Sequence, residues 1–148
     1  MLKLNDEPRA LSLAPEDPAG RAYNEEAFRY FLENERNRSE RSERPFLLLI
    51  VDLKKLPGTS ARFDAAVAAK LFTGLGLCLR ETDFVGWYRD RRLAGAVLTQ
   101  LPEATGVDLC RVVRERASTA LSESLPRDIF SRIQMRIFQV PPSRKDRS

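Results

Sequence analysis

RETDFVGWYRDRRLAGAVLTQLPE, residues 80–103, reads as a strand, a short polar turn and a second strand. Alternating and continuous apolar residues place the strands at Asp83–Tyr88 and Arg92–Leu101, with Pro102 ending the second. The turn between them is unusual. Tight hairpins favour Asn-Gly, Asp-Gly or Gly-rich pairs, and this one carries Arg89, Asp90, Arg91 and Arg92. Upstream, PFLLLIVDL (45–53) is a short unbroken apolar run, the mark of a strand covered on both faces and hence central to a sheet. Between that strand and the hairpin, Phe63, Val67, Leu71, Leu75 and Cys78 recur at helical spacing from Arg62 to Leu79. Downstream, Thr105 caps a second helix bearing Val107, Cys110, Val113, Ala117 and Leu121. SRIQMRIF then alternates, with Ile133, Met135 and Ile137 on one face and Arg132, Gln134 and Arg136 on the other, which is an edge-strand pattern.

The order is β-α-β-β-α-β, which predicts an α+β, ferredoxin-like antiparallel sheet with the first and third strands in the middle. A helix precedes it. Asn24 is placed to cap that helix, Glu25 and Glu26 suit its first turn, and Ala27, Phe28, Phe31 and Leu32 form its apolar stripe as far as about Arg41. This helix is expected to cover the sheet face left open by the other two. Residues 1–22 show no period and are expected to form a flexible lead, 23–140 the folded domain, and 141–148 a basic tail.

Composition narrows the function. With 43% hydrophobic and 31% charged residues over 148 positions, the chain suits one globular domain. It contains no histidine, which removes histidine triads and histidine-ligated zinc. Cys78 and Cys110 fall on apolar helix stripes and read as structural thiols. Neither a signal peptide's apolar segment nor a run of roughly 18 apolar residues is present, so the reading is a cytoplasmic protein without a membrane span. The net charge of +4 is interspersed with acids through NERNRSERSER (34–44), without aromatics to stack bases, so nucleic acid is not the expected partner.

In these residues the chain resembles the GGDEF domain of diguanylate cyclases, a member of the palm-like nucleotide cyclase superfamily. Asp17, Pro18, Gly20, Asn24 and Phe28 are similar to that family's opening DxLTGLxNRxxF. RPFLLLIVDL is similar to its first core strand, and RETDFVGWY to its RxxD segment, which places Arg89–Leu93 on the signature itself. The resemblance implies a metal-binding role for Asp52, here vestigial. Lys54 stands at the second acid, Arg91 and Arg92 at the signature acids, Arg89 and Asp90 at its glycines, and Ser60 near the guanine-binding asparagine. The family's closing phosphate-binding Lys and Arg have no counterpart. Two-metal chemistry needs carboxylates, and an arginine at a cation position costs on the order of several kcal/mol. Loss of catalysis, with no cofactor, is therefore expected.

Two readings of function follow, besides a third, an active nucleotide cyclase or polymerase with an unusual site, which the lost acids count against. One is a catalytically inactive regulatory or interaction module in signalling, acting with a protein partner or as a homodimer. The other is a cyclic di-GMP receptor using the retained RxxD inhibitory site, Arg80 and Asp83, with Arg89 and Arg91 closing over the phosphates. The local alternatives are simpler: Asp52 as a loop cap, Arg80 as a helix-end cation, Asp83 as a turn cap and the arginine turn as a solvated tip.

Overall fold

The computed structural model describes residues 12–99 and 106–141, and side chains from Leu109 onward in the second part. In chain order the elements are β1 (Ala22–Tyr23), α1 (Glu25–Ser42), β2 (Phe46–Leu53), α2 (Ala65–Gly76), β3 (Phe84–Arg89), β4 (Leu93–Leu98), α3 (Gly106–Ser124), α4 (Arg127–Phe130) and β5 (Ile133–Val140). The strands form one sheet in the order β1-β3-β4-β2-β5. All neighbours are antiparallel except β1 and β3. The two inner strands of the β-α-β-β-α-β core, β2 and β4, are the expected pair, and β5 is the expected edge.

Period-2 alternation gives each sheet face its own helices. Leu49 and Val51 of β2, Val85 and Trp87 of β3, and Ala94 and Ala96 of β4 turn toward α2 and α3, which supply Leu71, Phe72, Leu75 and Leu121. Trp87 is fully buried against Phe63 and Phe72, and its indole N–H donates to Glu16. The opposite face receives α1 through Phe28 and Leu32, which pack on Phe46 and Val97.

Phe28 seats deeply because the sheet beneath it lacks side chains. Gly86 and Gly95 are register partners on β3 and β4. A Cβ at Gly95 would lie 2.6 Å from Phe28 Cζ, and one at Gly86 would lie 3.0 Å from Phe28 Cδ1 and 2.5 Å from the Tyr23 carbonyl. The paired glycines thus make a socket that draws α1 over β3 and β4. Helix α1 begins as expected, with Asn24 Oδ1 accepting from the Ala27 N–H at 2.9 Å. It ends with Glu43 in a left-handed conformation, φ 60°.

Several expectations are corrected. The flexible lead over 1–22 does not hold from Ser12 onward. Asp17 is buried, and its carboxylate accepts N–H bonds from Ala19, Arg21 and Ala22 at 2.9–3.2 Å, folding the segment back so that Leu13 bridges Tyr23. The first later helix begins at Ala65, capped by Asp64, and ends at Gly76, because Leu77 and Cys78 continue only as a turn. Strand β4 stops at Leu98. Leu48 is only half-buried, because α1 sits over β3 and β4 and leaves part of β2 uncovered. Thr105, Pro102, the 100–105 connection and residues 142–148 lie outside the described residues.

Candidate functional site

The β3–β4 tip is held on two sides. Strand pairing closes at Arg89–Leu93 after a bulge, and the Arg92 N–H donates to the Arg89 carbonyl at 3.0 Å. Arg91 adopts φ 59°, a left-handed conformation that costs a non-glycine residue roughly 1–2 kcal/mol. Its compensation is a double link to Phe63. The Phe63 N–H donates to the Arg91 carbonyl at 2.8 Å, and Arg91 Nε donates to the Phe63 carbonyl at 3.0 Å. On the other side, Glu25 accepts from the Asp90 N–H at 2.6 Å and sits 3.9 Å from Arg89 and 3.8 Å from Arg29. The guanidiniums of Arg29 and Arg89 lie 5.3 and 5.6 Å from the Tyr88 ring centroid, within cation–π range. Nothing local announces Glu25 as a tip residue, because its helix is about 65 positions from the turn it holds.

Asp52 lies near the C-terminal end of β2, paired in register with Gln134. Its Oδ1 is buried and without a hydrogen-bond partner among the described residues, the one such side-chain atom there. Orphaned buried oxygens call for a reason. A cation is one, and Mg²⁺ takes an octahedral oxygen shell usually supplied by one or two carboxylates with waters and substrate phosphates. Among the described residues no three His, Cys, Asp or Glu converge where a metal could sit. Lys54 is exposed, and the loop after it is bound down by Arg132, which donates to the carbonyls of Lys54 at 3.1 Å and Ser60 at 2.6 Å. A cavity of about 170 Å³ remains there, edged by Leu53, Ser60, Asp64 and Arg132.

The RxxD segment sits at the other end of β3. Arg80 is exposed and lies four residues past α2, so its expected place in a helix's last turn is corrected. Asp83 is committed to the backbone. Its Oδ2 accepts from the Arg80 N–H at 2.9 Å, and its Oδ1 from the Thr99 N–H at 2.8 Å and the Thr99 hydroxyl at 3.3 Å. It therefore staples the 80–83 turn to the end of β4. The structure bonds the Arg80 N–H to Asp83 and keeps Arg89 and Arg91 in one turn, but it holds the two pairs apart. The length of β3 separates them by about 20 Å at roughly 3.3 Å per residue, so the expected closure of the tip arginines over Arg80 within one chain is not met. The cations that do share this end come from α1 and its exit: Arg38 and Arg44 line a cavity of about 230 Å³ with Thr82 and Thr99. Sequence reading missed them, because only the docking of α1 brings them there.

No family model matches the sequence, and no curated protein matches it. Solved structures do. The diguanylate cyclase SiaD of Pseudomonas aeruginosa, solved with its activator SiaC, superposes with a TM-score of 0.61 at 17% identity, over 93% of this chain and 52% of that one. The chain thus spans about half of SiaD. A sensory box/GGDEF protein of Caulobacter crescentus gives 0.64 at 14% identity, covering 88% of this chain and 84% of its own. The GGDEF domain of DgcB from Caulobacter crescentus, in complex with c-di-GMP, gives 0.60 at 12% identity over 89% and 78%. The chain has the fold of a GGDEF domain.

Proposed function

We propose that this GGDEF-fold chain is a catalytically inactive module serving regulation or interaction in signalling, in the cytoplasm, with a protein partner or a second copy. The observation that carries the reading is the pair of hydrogen bonds between Arg91 and Phe63. A turn that would have to admit a nucleoside triphosphate and its metal is instead a corner packed by its own guanidinium. Lys54, Arg91 and Arg92 add positive charge where carboxylates would be needed to hold cations. Asp52 alone offers one orphaned oxygen. Among the described residues no helix is long and apolar enough to cross a membrane. The test is incubation with GTP and Mn²⁺, read by chromatography. No cyclic dinucleotide should form, and product that disappears in Asp52→Ala would overturn the proposal.

A second reading, a cyclic di-GMP receptor, draws on one observation. The Arg80 guanidinium is exposed with no described partner, and Arg38 and Arg44 lie at the same end of the sheet. Arginine forks suit phosphate and the guanine edge. In this reading Arg80 binds ligand and Asp83 shapes the turn that presents it. Calorimetric titration with cyclic di-GMP to millimolar concentration decides it. Saturable heat lost in Arg80→Ala supports the receptor, and absence of heat removes it.

A further inference from the structure

The glycine socket has a consequence on the far side of α1. Because Phe28 holds the helix over β3 and β4, the same sheet face is left open along β5 and, at Leu48, partly open on β2, while Phe46 and Ile50 stay buried. The opening is a groove of about 500 Å³. Leu48 and Ile50 form its floor, Leu32 and Leu93 its walls, and Phe138 stands at its rim, 45% exposed. Two guanidiniums enter it, Arg36 from α1 and Arg136 from β5, and none of its lining residues is acidic. Arg136 pairs in register with Ile50, so it rises beside the floor, exposed and without a described partner. Arg36 has only Glu33, 3.5 Å away, in a pair whose side chains are both more than half exposed. Such a pair holds little energy against a competing anion.

The occupant follows from size and charge. A second copy seated face to face on this groove would bring Arg36 and Arg136 toward like charges, with no acidic lining residue to offset them. A protein partner of ordinary affinity needs about 20–30 residues a side, and the groove offers ten. Its volume and apolar lining lie instead in the range of small-ligand sites. We propose that the groove binds a single-chain amphipathic anion, its apolar body against Leu48, Ile50 and Phe138 and its carboxylate or phosphate held by Arg136 and Arg36. At about 30 Å³ per water-sized group, the space suits on the order of 15–20 heavy atoms.

Dodecanoate below its micellar concentration is the probe, with dodecyltrimethylammonium as the same chain carrying the opposite charge. Both are titrated into the whole chain and followed by amide shifts. Dodecanoate should saturate and shift Leu48, Ile50 and Phe138, while the cation binds at least tenfold more weakly. Arg136→Glu, at an exposed position, should weaken dodecanoate about tenfold and narrow or reverse that preference. Phe138→Ser should weaken both chains. Equal binding of the two amphiphiles, shifts confined to another region, or dodecanoate binding unchanged in Arg136→Glu would overturn the site. So would flotation with vesicles of phosphatidylcholine and phosphatidylglycerol without saturation by dodecanoate, which would mark a lipid-surface contact instead.

Discussion

One methyl group added at Gly95 should unseat α1. The new carbon would stand 2.6 Å from Phe28 Cζ and 2.9 Å from Cε2, where apolar carbons rest at about 3.5–4.0 Å. The overlap is therefore about 1 Å. The ring has no room to withdraw, since it is fully buried, meets Phe84 and Tyr88 edge-on at 5.6 and 6.5 Å, and would stand 3.0 Å from a Cβ at Gly86. Overpacking, the forced off-rotamer ring included, costs about 1–3 kcal/mol, and an overlap near 1 Å puts Gly95→Ala in the upper part of that range, about 2–3 kcal/mol. The melting temperature should fall by about 10 °C for a chain of this size. Phe28→Ala alone should cost about 3–5 kcal/mol through its cavity. In that background Gly95→Ala should cost little, because its methyl enters emptied space. Urea unfolding of the four proteins gives the coupling, expected at 1 kcal/mol or more. Costs that add to within about 0.5 kcal/mol would refute the socket.

Asp17→Ala should destabilise by about 2–4 kcal/mol, since it strips three N–H groups of their acceptor, one of them buried at Ala22; urea denaturation reads it, and a loss under about 0.5 kcal/mol would return residues 12–22 to a loose lead. Arg91→Gly should be more stable than Arg91→Ala by about 1 kcal/mol, because both lose the Phe63 bond and only glycine escapes the left-handed penalty. Burial pushes the Cys78 thiol above its ordinary value, with nearby Arg116 partly opposing it. Its alkylation at pH 8 should therefore be slower than that of a free thiol and should accelerate as pH climbs. The folded-state rise also means that stability present below the unfolded thiol's pKa declines as pH passes toward the folded one, which Cys78→Ala should abolish.

What could be read in advance was whatever the chain encodes within a few residues. Continuous apolar character placed β2 in the middle, alternation placed β5 at the edge, and Asn24 with Glu25 and Glu26 marked the start of α1. Strand β1 escaped because two residues carry no period, and Ala22–Tyr23 become a strand only by pairing with Val85–Gly86. The Asp17 loop is legible too, although Asp17, Pro18 and Gly20 first count only as a resemblance. An aspartate followed by Pro and Gly, bonding backbone groups two to five residues on, is a local turn signal. The site was harder. Arg80 and Asp83 are legible as a motif, but Asp83's commitment to Thr99 depends on how β4 ends. The half-exposure of Leu48, and with it the groove, depends on where two glycines let a ring settle. Neither is written in β2 itself.

The partners of β2 have a further consequence, in the order of synthesis. FLLLIVDL is completed at Leu53, while β4 begins at Leu93 and β5 at Ile133. At about 5–20 residues per second, the emerging strand waits roughly 2–8 s for its first neighbour and about 4–16 s for its second. During that interval its edges are open, and it is among the most apolar stretches of the chain, the kind of segment that adds to another copy. The charged run NERNRSERSER leaves the ribosome immediately ahead of it. Flanking charges of this sort act as gatekeepers against association. The helix that later covers the sheet would thus first serve, as unfolded chain, to keep nascent copies apart.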